Sequence, residues 1–320
     1  MNVTVMRQLV IALLFVWAPA SAGAQDYPNR TIEIIVPVPP GVTLDMLPRT
    51  IADKLAARWS QPVIIMNRPG ASQNIGAEAV ANAAPDGYTL LAAPPAPLVI
   101  NQALYPALRF DPNAFTPVTV MATTPNVLVA SPQAPFSTLQ GMIAFAKANP
   151  GKLSYASPGV GSTLHLAMEL LKSEAGIDIV HIPYKGLLPT DLLAGHVDVM
   201  FNNLGNTLPL IESGALKLLA VGSEKRLAAL PDAPAISEMF PRFVTTTWFA
   251  IVAPPKTPPE IAAKLSQAIA KIIRTPEVER KIRDLSMTPV GSTPAETAAF
   301  IREERERWHK VIVSAGIKPD

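Results

Sequence analysis

Three short segments of small and polar residues each join a predicted strand to a predicted helix. They are residues 39–43 (Pro-Pro-Gly-Val-Thr), 71–74 (Ala-Ser-Gln-Asn) and 157–162 (Ser-Pro-Gly-Val-Gly-Ser). The first N–H groups of a helix have no partner within it and carry partial positive charge, so they bind carboxylates and phosphates. Open α/β sheets bind ligands at the carboxyl ends of their strands. The three segments together predict a site for a small anion, held by neutral donors between two domains.

Signatures of catalysis and of metal binding are weak in this chain. It has no Gly-x-Ser-x-Gly, no His-Glu-x-x-His and no cysteine, and its four histidines are not paired at metal-site spacing. The glycines of residues 159–163 match neither a phosphate loop nor a dinucleotide fingerprint. Ser162 and His165 are three residues apart on one helix face, so a secreted α/β hydrolase-like enzyme stays the alternative. We predict no metal and no cofactor.

The charge balance argues against a polyanionic partner. The chain carries 27 Lys and Arg residues against 25 Asp and Glu, a net charge of +2. Only 16% of its residues are charged and 49% are hydrophobic, so the chain can bury a large core. Nucleic acid and anionic membrane are therefore not expected as its main partners.

The N-terminus has the three-part layout of a secretory signal peptide. Arg7 precedes the apolar run 9–17, and the small residues Ala22-Gly23-Ala24 follow it. The run is too short to span a bilayer comfortably, although a retained anchor is the alternative. We predict a signal peptide over residues 1–24, cleavage near Ala24, and an exported protein with no later membrane span.

Strands and helices alternate along the predicted mature chain, which indicates an α/β fold with mostly parallel sheets. Strands are predicted over 31–36, 63–66, 88–91, 127–130, 153–156, 177–182, 197–201, 216–221 and 247–252, and helices over 43–59, 75–84, 138–148, 163–175, 188–194, 259–274, 276–285 and 294–315. Two β-rich segments, 126–130 and 246–253, flank a complete α/β stretch. We predict an outer domain of residues 25–126 and 247–320, and an inserted domain of residues 127–246. The mixed charges of residues 302–307 predict a solvated helix face.

An ordered series of short motifs resembles one known family. The segments are Ile35-Val-Pro-Val-Pro-Pro-Gly41, Asn67-Arg-Pro-Gly-Ala71, Asn74-Ile-Gly76, Ala84-Pro-Asp-Gly-Tyr-Thr89, Asn101-Gln-Ala-Leu-Tyr105, Pro150-Gly-Lys-Leu153, Ser162-Thr-Leu-His-Leu-Ala167, His181-Ile-Pro-Tyr-Lys-Gly186, Gly195-His-Val-Asp-Val-Met200, Leu230-Pro-Asp-Ala-Pro234, Trp248-Phe249, Pro289-Val-Gly-Ser-Thr-Pro294 and Ala315-Gly-Ile-Lys318. In this order they resemble the extracytoplasmic solute receptors of tripartite tricarboxylate transporters, also called Bug receptors. The resemblance covers nearly the whole predicted mature chain.

The resemblance implies a type II periplasmic-binding-protein fold, in which two α/β domains joined by a two-crossover hinge close on a ligand. It implies a periplasmic, non-catalytic monomer that binds a small carboxylate. The loaded receptor would deliver its ligand to a large and a small membrane subunit (TctA- and TctB-like). A sensor that presents the ligand to a membrane signalling partner is the alternative, because both roles need the same closure.

Four departures from the family pattern bear on the ligand. Val42 stands where the first loop usually has glycine, and Ser72 and Gln73 stand where the second loop usually has two. The stretch after Gly186 is two residues shorter than usual. Asn202 stands where members often carry Asp, so it cannot pair with a ligand ammonium group. We therefore expect a carboxylic acid without an amino group, a dicarboxylate or an aromatic acid.

We expect the ligand-binding residues to form two facing walls. One wall comprises Gly41, Val42, Thr43, Ser72, Gln73 and Asn74, and the other comprises Ser157, Gly159, Gly161, Ser162, Thr163 and His165, with Lys185 and Asn202 nearby. Asp45 lies in the first turn of a predicted helix and would repel an anion, so we expect it to order the loop by accepting hydrogen bonds. Arg68 is expected to brace the same corner. A surface role is the alternative for Arg68 and Lys185.

Overall fold

The computed structural model describes residues 27–184 and 189–318. The predicted signal peptide over residues 1–24 and the predicted ligand contact Lys185 lie outside the described residues. Among the helices of the described part, none combines the length and the apolar character needed to cross a bilayer.

Strands and helices alternate through most of the described chain. The strands are β1 Ile32–Val36, β2 Val63–Asn67, β3 Thr89–Ala93, β4 Thr116–Ala130, β5 Ser154–Ser157, β6 Val180–Pro183, β7 Val199–Asn203, β8 Lys217–Val221, β9 Thr246–Ala253 and β10 Thr288–Pro289. The helices are α1 Thr43–Trp59, α2 Asn74–Ala81, α3 Asn101–Leu104, α4 Leu139–Ala148, α5 Thr163–Ala175, α6 Pro189–Ala194, α7 Leu204–Glu212, α8 Pro259–Ile273, α9 Pro276–Asp284 and α10 Pro294–Ser314. A 3-10 turn spans Ala71–Gln73, and a π-helical turn spans Ala96–Ile100.

Two groups of parallel strands are joined by antiparallel pairs. β1 pairs in parallel with β2 and β3, and β5 pairs in parallel with β6 and β7. The order β2-β1-β3-β9-β4-β7-β5-β6 links the groups, with β8 and β10 also paired to β4. Each antiparallel pair among the described strands involves β4 or β9. The carboxyl ends of the parallel strands lead into helices α1, α2, α5 and α7.

The long strand β4 carries the chain from the first group to the second. Its residues up to Pro125 pair with β9, and from Asn126 onward they pair with β7 and β8. The chain returns at Thr245, whose N–H donates to the carbonyl of Gly222 (2.7 Å), while the Gly222 N–H donates to the carbonyl of Asn126 (2.7 Å). The predicted domain boundaries lie at this crossing, and the division into two domains stays a prediction.

β4 is longer than its sequence pattern predicts. The pattern predicts a strand only over residues 127–130, whereas β4 begins at Thr116. Pro117 and Pro125 break the usual signature of a strand, because proline cannot donate to the ladder. The ladder shifts register between Pro117 and Thr119, which accommodates the first proline. The helix α7 has no predicted counterpart. It contains Gly205 and Pro209, and glycine and proline have the lowest helix propensities, so the sequence does not indicate a helix there.

Both faces of strands β1, β3 and β9 are largely buried, whereas the edge strand β2 leaves Ile64 and Met66 exposed. Ile34 and Phe249 lie in a core with α1 and α8, and the neighbouring residues Ile35 and Trp248 lie in a second core with α10. Successive side chains of a strand point to opposite faces, so a strand covered on both faces has a continuous apolar sequence. This explains the unbroken apolar runs that predicted these strands.

The charged segment of α10 is not a solvated face throughout, so that prediction is wrong at Glu304. This residue is 9% exposed, and its carboxylate accepts hydrogen bonds from the indole N–H groups of Trp248 (2.7 Å) and Trp308 (3.2 Å). Arg307 donates two further hydrogen bonds to it, at 2.8 and 2.9 Å. A buried charge needs such partners, and tertiary packing alone supplies the two tryptophans.

Candidate functional site

A buried carboxylate organises the loop between β1 and α1. Asp45 is 2% exposed and accepts hydrogen bonds from the Gly41 N–H (2.8 Å), the Asn67 amide (2.8 Å) and the Arg49 guanidinium (2.9 Å). Burial opposes ionisation, but these donors and the Arg49 charge outweigh it, so the pKa of Asp45 lies below its ordinary value. The side chain of Arg68 is exposed and makes no hydrogen bond or ion pair with the described residues. Arg49, one turn after Asp45, donates to this carboxylate and to the side-chain oxygen of Asn67 (2.8 Å), while the role of Arg68 stays a prediction.

The valine of this loop causes no backbone strain. Val42 has φ −82° and ψ 161°, an extended conformation that valine favours, and it precedes Thr43, the first residue of α1. The positive φ of this turn falls on Gly41, at +87°. Val42 packs half-buried against the core that contains α1 and α8. The departure at Val42 thus changes the shape of the loop surface and leaves its backbone conformation intact.

Replacing Asp45 by asparagine is expected to lower the free energy of unfolding by about 1–3 kcal/mol near neutral pH, because an ionised acceptor is lost. The Arg49 side chain is 44% exposed, so solvent screens its ion pair with Asp45 and reduces the contribution of that pair to stability. The folded-state pKa of Asp45 is lowered. This stability is therefore present above the unfolded-state pKa of about 4 and is lost as the pH falls through the folded-state pKa. Urea unfolding of the parent protein and of Asp45→Asn at several pH values measures the difference between their free energies of unfolding. This difference should become smaller in acid.

The control for this test is Asp53→Asn, an exposed carboxylate further along α1. We expect it to change stability by less than about 0.5 kcal/mol. A gap between the parent and Asp45→Asn that stayed constant from neutral pH to well below 4 would contradict the ionised role of Asp45.

The turn before α2 holds three successive non-glycine residues in left-handed conformations. Ala71, Ser72 and Gln73 have φ values of 47°, 50° and 75°, and Gly70 before them has φ 121°. This conformation costs a residue with a Cβ about 1–2 kcal/mol. Ser72 and Gln73 therefore occupy positions where glycine would be relaxed, and the surrounding contacts must hold the turn.

Asn101 supplies the main contact that holds this turn. It is fully buried at the start of α3, and its amide N–H₂ donates to the Ser72 carbonyl (2.9 Å) and to Oδ1 of Asn74 (2.7 Å). The Ser72 hydroxyl and the Tyr105 hydroxyl share a further hydrogen bond of 2.8 Å. The side-chain oxygens of Asn101 (Oδ1) and Gln73 (Oε1) are buried and have no hydrogen-bond partner among the described residues.

The start of α5 has the geometry of an anion site. Ser162 caps the helix: its hydroxyl accepts from the His165 N–H (3.2 Å) and donates to the Gly159 carbonyl (2.8 Å). Thr163 is the first helical residue and is buried. Within the described residues, the N–H groups of Thr163 and Leu164 have no hydrogen-bond acceptor. They are available to a carboxylate, as helix starts generally are.

Gly161 brings the start of α5 against the first strand group. It has φ +80°, and a Cβ built there would lie 2.7 Å from Cδ1 of Leu104 and 3.6 Å from Oδ1 of Asn101. Asn101 in turn binds Ser72 and Asn74, so the structure brings the two predicted walls together around it. Gly159 has φ +120°, but a Cβ at that position would meet nothing within 4 Å.

Two histidine rings pack against each other, tilted by 34°, near the start of α5. The ring of His165 lies 4.3 Å from that of His181, and Nε2 of His181 lies 2.7 Å from the Ser157 hydroxyl. Nδ1 of His165 accepts weakly from the Gly161 N–H (3.4 Å). Burial, then the charges of His181 and Lys172, lower the pKa of His165 to about 3, so its ring is neutral near pH 7. Since the hydroxyls of Ser157 and Ser162 both contact the Gly159 carbonyl, these groups order the turn.

The end of β7 contributes two adjacent amides. Asn202 is 2% exposed, and its Oδ1 accepts from the Asn203 N–H (2.8 Å) and from the Asn206 amide (3.4 Å). Nδ2 of Asn202 and Oδ1 of Asn203 are buried without a partner. A buried polar atom without a partner costs about 1–3 kcal/mol. Water or a ligand would relieve this cost.

The residues that the sequence analysis missed are those that reach across the fold. Asn101 and His181 occur in the motifs of the resemblance but were not assigned to the site, and Arg49 was not singled out. A signal existed for Asn101, because it directly follows an apolar run, as Asn202 does. No local pattern indicates that Asn101 reaches Ser72, which is 29 residues away in the chain.

Comparison with known proteins gives consistent matches. The sequence model described as TctC, tripartite tricarboxylate transporter family receptor, matches residues 47–317. Protein BugT of Bordetella pertussis (strain Tohama I) is 37% identical over 326 residues, which cover 99% of each chain. The solved structure described as R. palustris Rpa4515 with adipate is 36% identical with a TM-score of 0.86, and it covers 92% of this chain and 100% of its own. MatC (Rpa3494) from Rhodopseudomonas palustris with bound malate is 30% identical with a TM-score of 0.81, and it covers 89% of this chain and 100% of its own.

These likenesses settle the architecture. The solved structures most relevant here include periplasmic binding protein BugD, with a TM-score of 0.83 over 92% of this chain. The predicted α/β class and periplasmic-binding-protein fold are confirmed.

Proposed function

Because this chain belongs to the tripartite tricarboxylate transporter receptor family, we propose that it captures a small dicarboxylate or aromatic acid between its two strand groups and delivers it to the membrane subunits of such a transporter. The family predicted from the motifs is thereby confirmed, and the chain is a solute-binding receptor of a non-enzymatic family. The exact acid, the large and small membrane subunits and the monomeric state are parts of the proposal.

The observation that carries the proposal is the start of α5. Its two free N–H groups at Thr163 and Leu164 are next to Gly161, which contacts Leu104 of the other strand group. A carboxylate bound here would therefore contact residues of both groups at once. We propose that residues 25–126 with 247–320 and residues 127–246 are two domains, and that they close on the ligand about the crossing at Asn126 and Thr245.

The lack of charged side chains in the two walls favours a weakly held, exchangeable anion. Residues 72–74 and 157–165 contain no lysine, arginine or carboxylate, and His165 is neutral near pH 7 because burial lowers its pKa to about 3. Hydrogen bonds from backbone N–H groups to a charged acceptor contribute about 1.5–3 kcal/mol. Two relatives have adipate and malate in their solved structures, which supports an aliphatic dicarboxylate for this chain first.

The neutral amide of Asn202 supports a ligand without an ammonium group. Burying an ammonium against neutral amides alone is costly, because a buried charge needs a partner of opposite sign. Asp45, the carboxylate of the loop between β1 and α1, already accepts hydrogen bonds from three donors. We therefore expect adipate-like acids to bind more tightly than amino acids of similar size.

A thermal-shift screen of the protein without residues 1–24 tests the function. The panel comprises aliphatic dicarboxylates, aromatic acids, tricarboxylates and amino acids. An acid at about 100 times its Kd adds roughly 2.7 kcal/mol of stability. A shift with one acid class, and recovery of that acid unchanged, would establish binding without turnover. Tighter binding of amino acids than of matched dicarboxylates in isothermal titration would overturn the ligand class.

Replacing Gly161 by alanine is expected to weaken binding of the acid found in that screen by about 10-fold, which corresponds to about 1.4 kcal/mol. The added Cβ would lie 2.7 Å from Leu104 and would hold the two strand groups apart, and φ +80° adds strain. Isothermal titration measures the Kd. Gly159→Ala is the matched control, because its φ is also positive but its Cβ meets nothing within 4 Å. Equal losses in both variants would mean that backbone strain, and not the contact with Leu104, lowers the affinity.

A further inference from the structure

A cavity outside the proposed cleft lies between the π-helical turn, strands β4 and β9, and helix α10. It has a volume of about 280 Å³ and is lined by apolar residues that include Leu98, Phe115, Val252 and Ile301. Arg302 and Arg305 of α10 form its polar side. Leu98 faces this cavity from the π-helical turn, whereas Asn101, three residues later, belongs to the cleft. Asn101 is not among the residues that line the cavity.

Arg305 is the unusual residue of this cavity. Its Nε is buried without a hydrogen-bond partner, and its guanidinium makes no hydrogen bond or salt bridge with the described residues. Burial lowers the pKa of Arg305, and the charge of Asp111 opposes that effect. The side chain is half-buried, and its buried Nε without a partner carries a desolvation cost unless an anion or water reaches it.

The neighbouring charges leave Arg305 available. Oδ1 of Asp111 already accepts two hydrogen bonds from Asn113, each 2.8 Å long, and Asp111 is exposed. Arg302 precedes Arg305 by one helical turn, so the two cations share a face of α10. Glu303 and Glu306 are exposed on the same helix but do not line the cavity.

We infer that this cavity is a second binding site, for a small organic monoanion whose apolar body contacts Leu98 and Ile301 and whose carboxylate binds Arg305. The volume is near the lower limit of small-molecule sites, about 300 Å³, which suits a single ring or a short chain. The apolar floor favours an organic acid over inorganic phosphate. The guanidinium fork matches a carboxylate and provides a charge that residues 72–74 and 157–165 of the cleft walls lack.

Methyl NMR of the full mature chain, with benzoate as the probe, tests this site. Benzoate is expected to shift the methyl signals of Leu98, Val252 and Ile301, and Arg305→Gln is expected to weaken this binding by about 10-fold or more, as for a lost charged hydrogen bond. Ala298→Phe fills the cavity and should remove these shifts. Lys310→Gln, an exposed cation on the same helix, should leave the affinity unchanged.

The cleft provides the internal reference for this experiment. Shifts confined to Leu104 and Leu164, which lie at the cleft, would place benzoate there alone and overturn the second site. An unchanged affinity in Arg305→Gln, or equal binding of neutral benzamide, would also overturn it. The far-UV circular dichroism spectrum and Tm of each variant check that it is folded. These results are independent of the screen for cleft ligands, so either proposal can fail alone.

Discussion

Replacing Glu304 by alanine is expected to lower the free energy of unfolding by about 3–5 kcal/mol, the usual cost of breaking a buried charged network. The change would leave the indole N–H groups of Trp248 and Trp308 without their acceptor, and both indoles are fully buried. It would also remove the partner of Arg307, which covers the Trp308 ring at 4.3 Å. Urea unfolding followed by tryptophan fluorescence measures the loss.

The neighbouring residue provides a matched control for Glu304. Glu303 is exposed on the same helix, so Glu303→Ala should change stability by less than about 0.5 kcal/mol. Glu304→Gln keeps one acceptor oxygen, so its loss of stability should lie between those of Glu303→Ala and Glu304→Ala. A loss below about 1 kcal/mol for Glu304→Ala would mean that water replaces the carboxylate, and it would refute the role of Glu304 as the acceptor for both indoles.

Replacing Asn101 by alanine is expected to weaken acid binding by about 10-fold or more and to destabilise the fold by about 2–3 kcal/mol, because buried acceptors lose their donor. The Ser72 carbonyl and Oδ1 of Asn74 would be left unpaired. Three left-handed residues would then be held by fewer contacts, and a strained turn persists only when its surroundings over-determine it. Isothermal titration with the acid from the screen and urea unfolding measure the two effects.

The control for Asn101 is the residue that follows it. Gln102 is half-buried, and within the described part of the chain its side chain bonds only to Asn113 at the surface, so Gln102→Ala should leave the affinity within about two-fold. Unchanged affinity in Asn101→Ala would mean that the turn of residues 71–73, as held by Asn101, does not contribute to ligand binding. If only stability fell, Asn101 would be a structural residue and the ligand wall would lie elsewhere.

Two residues of the strained turn hold conformations that are usual for glycine. Ser72 and Gln73 occupy left-handed conformations that glycine adopts without cost. The family motif has glycines there, whereas this chain holds these conformations with two residues that carry a Cβ. The hydrogen bonds from Asn101 and Tyr105 explain how, because they reach the turn from α3 and from the residue after it.

The sequence by itself determined the fold class and the family, and it predicts a signal peptide. Periodic apolar runs predict the strands and helices because burial on one or both faces imposes a pattern that is local in the chain. Helix starts are equally local, since Ser162 caps α5 through a residue three positions later. For the same reason the three strand-to-helix turns could be found, and the order of short motifs identified the family.

Only the tertiary structure decided which distant residues complete these turns and how buried charges are satisfied. Asn101 reaches Ser72 across 29 residues, Asp45 binds Asn67 across 22, and Glu304 binds Trp248 across 56. No periodicity encodes such contacts, because they depend on how the elements pack and not on their own sequence. A charged residue therefore looks solvated in sequence, as Glu304 did, until packing places two indoles beside it.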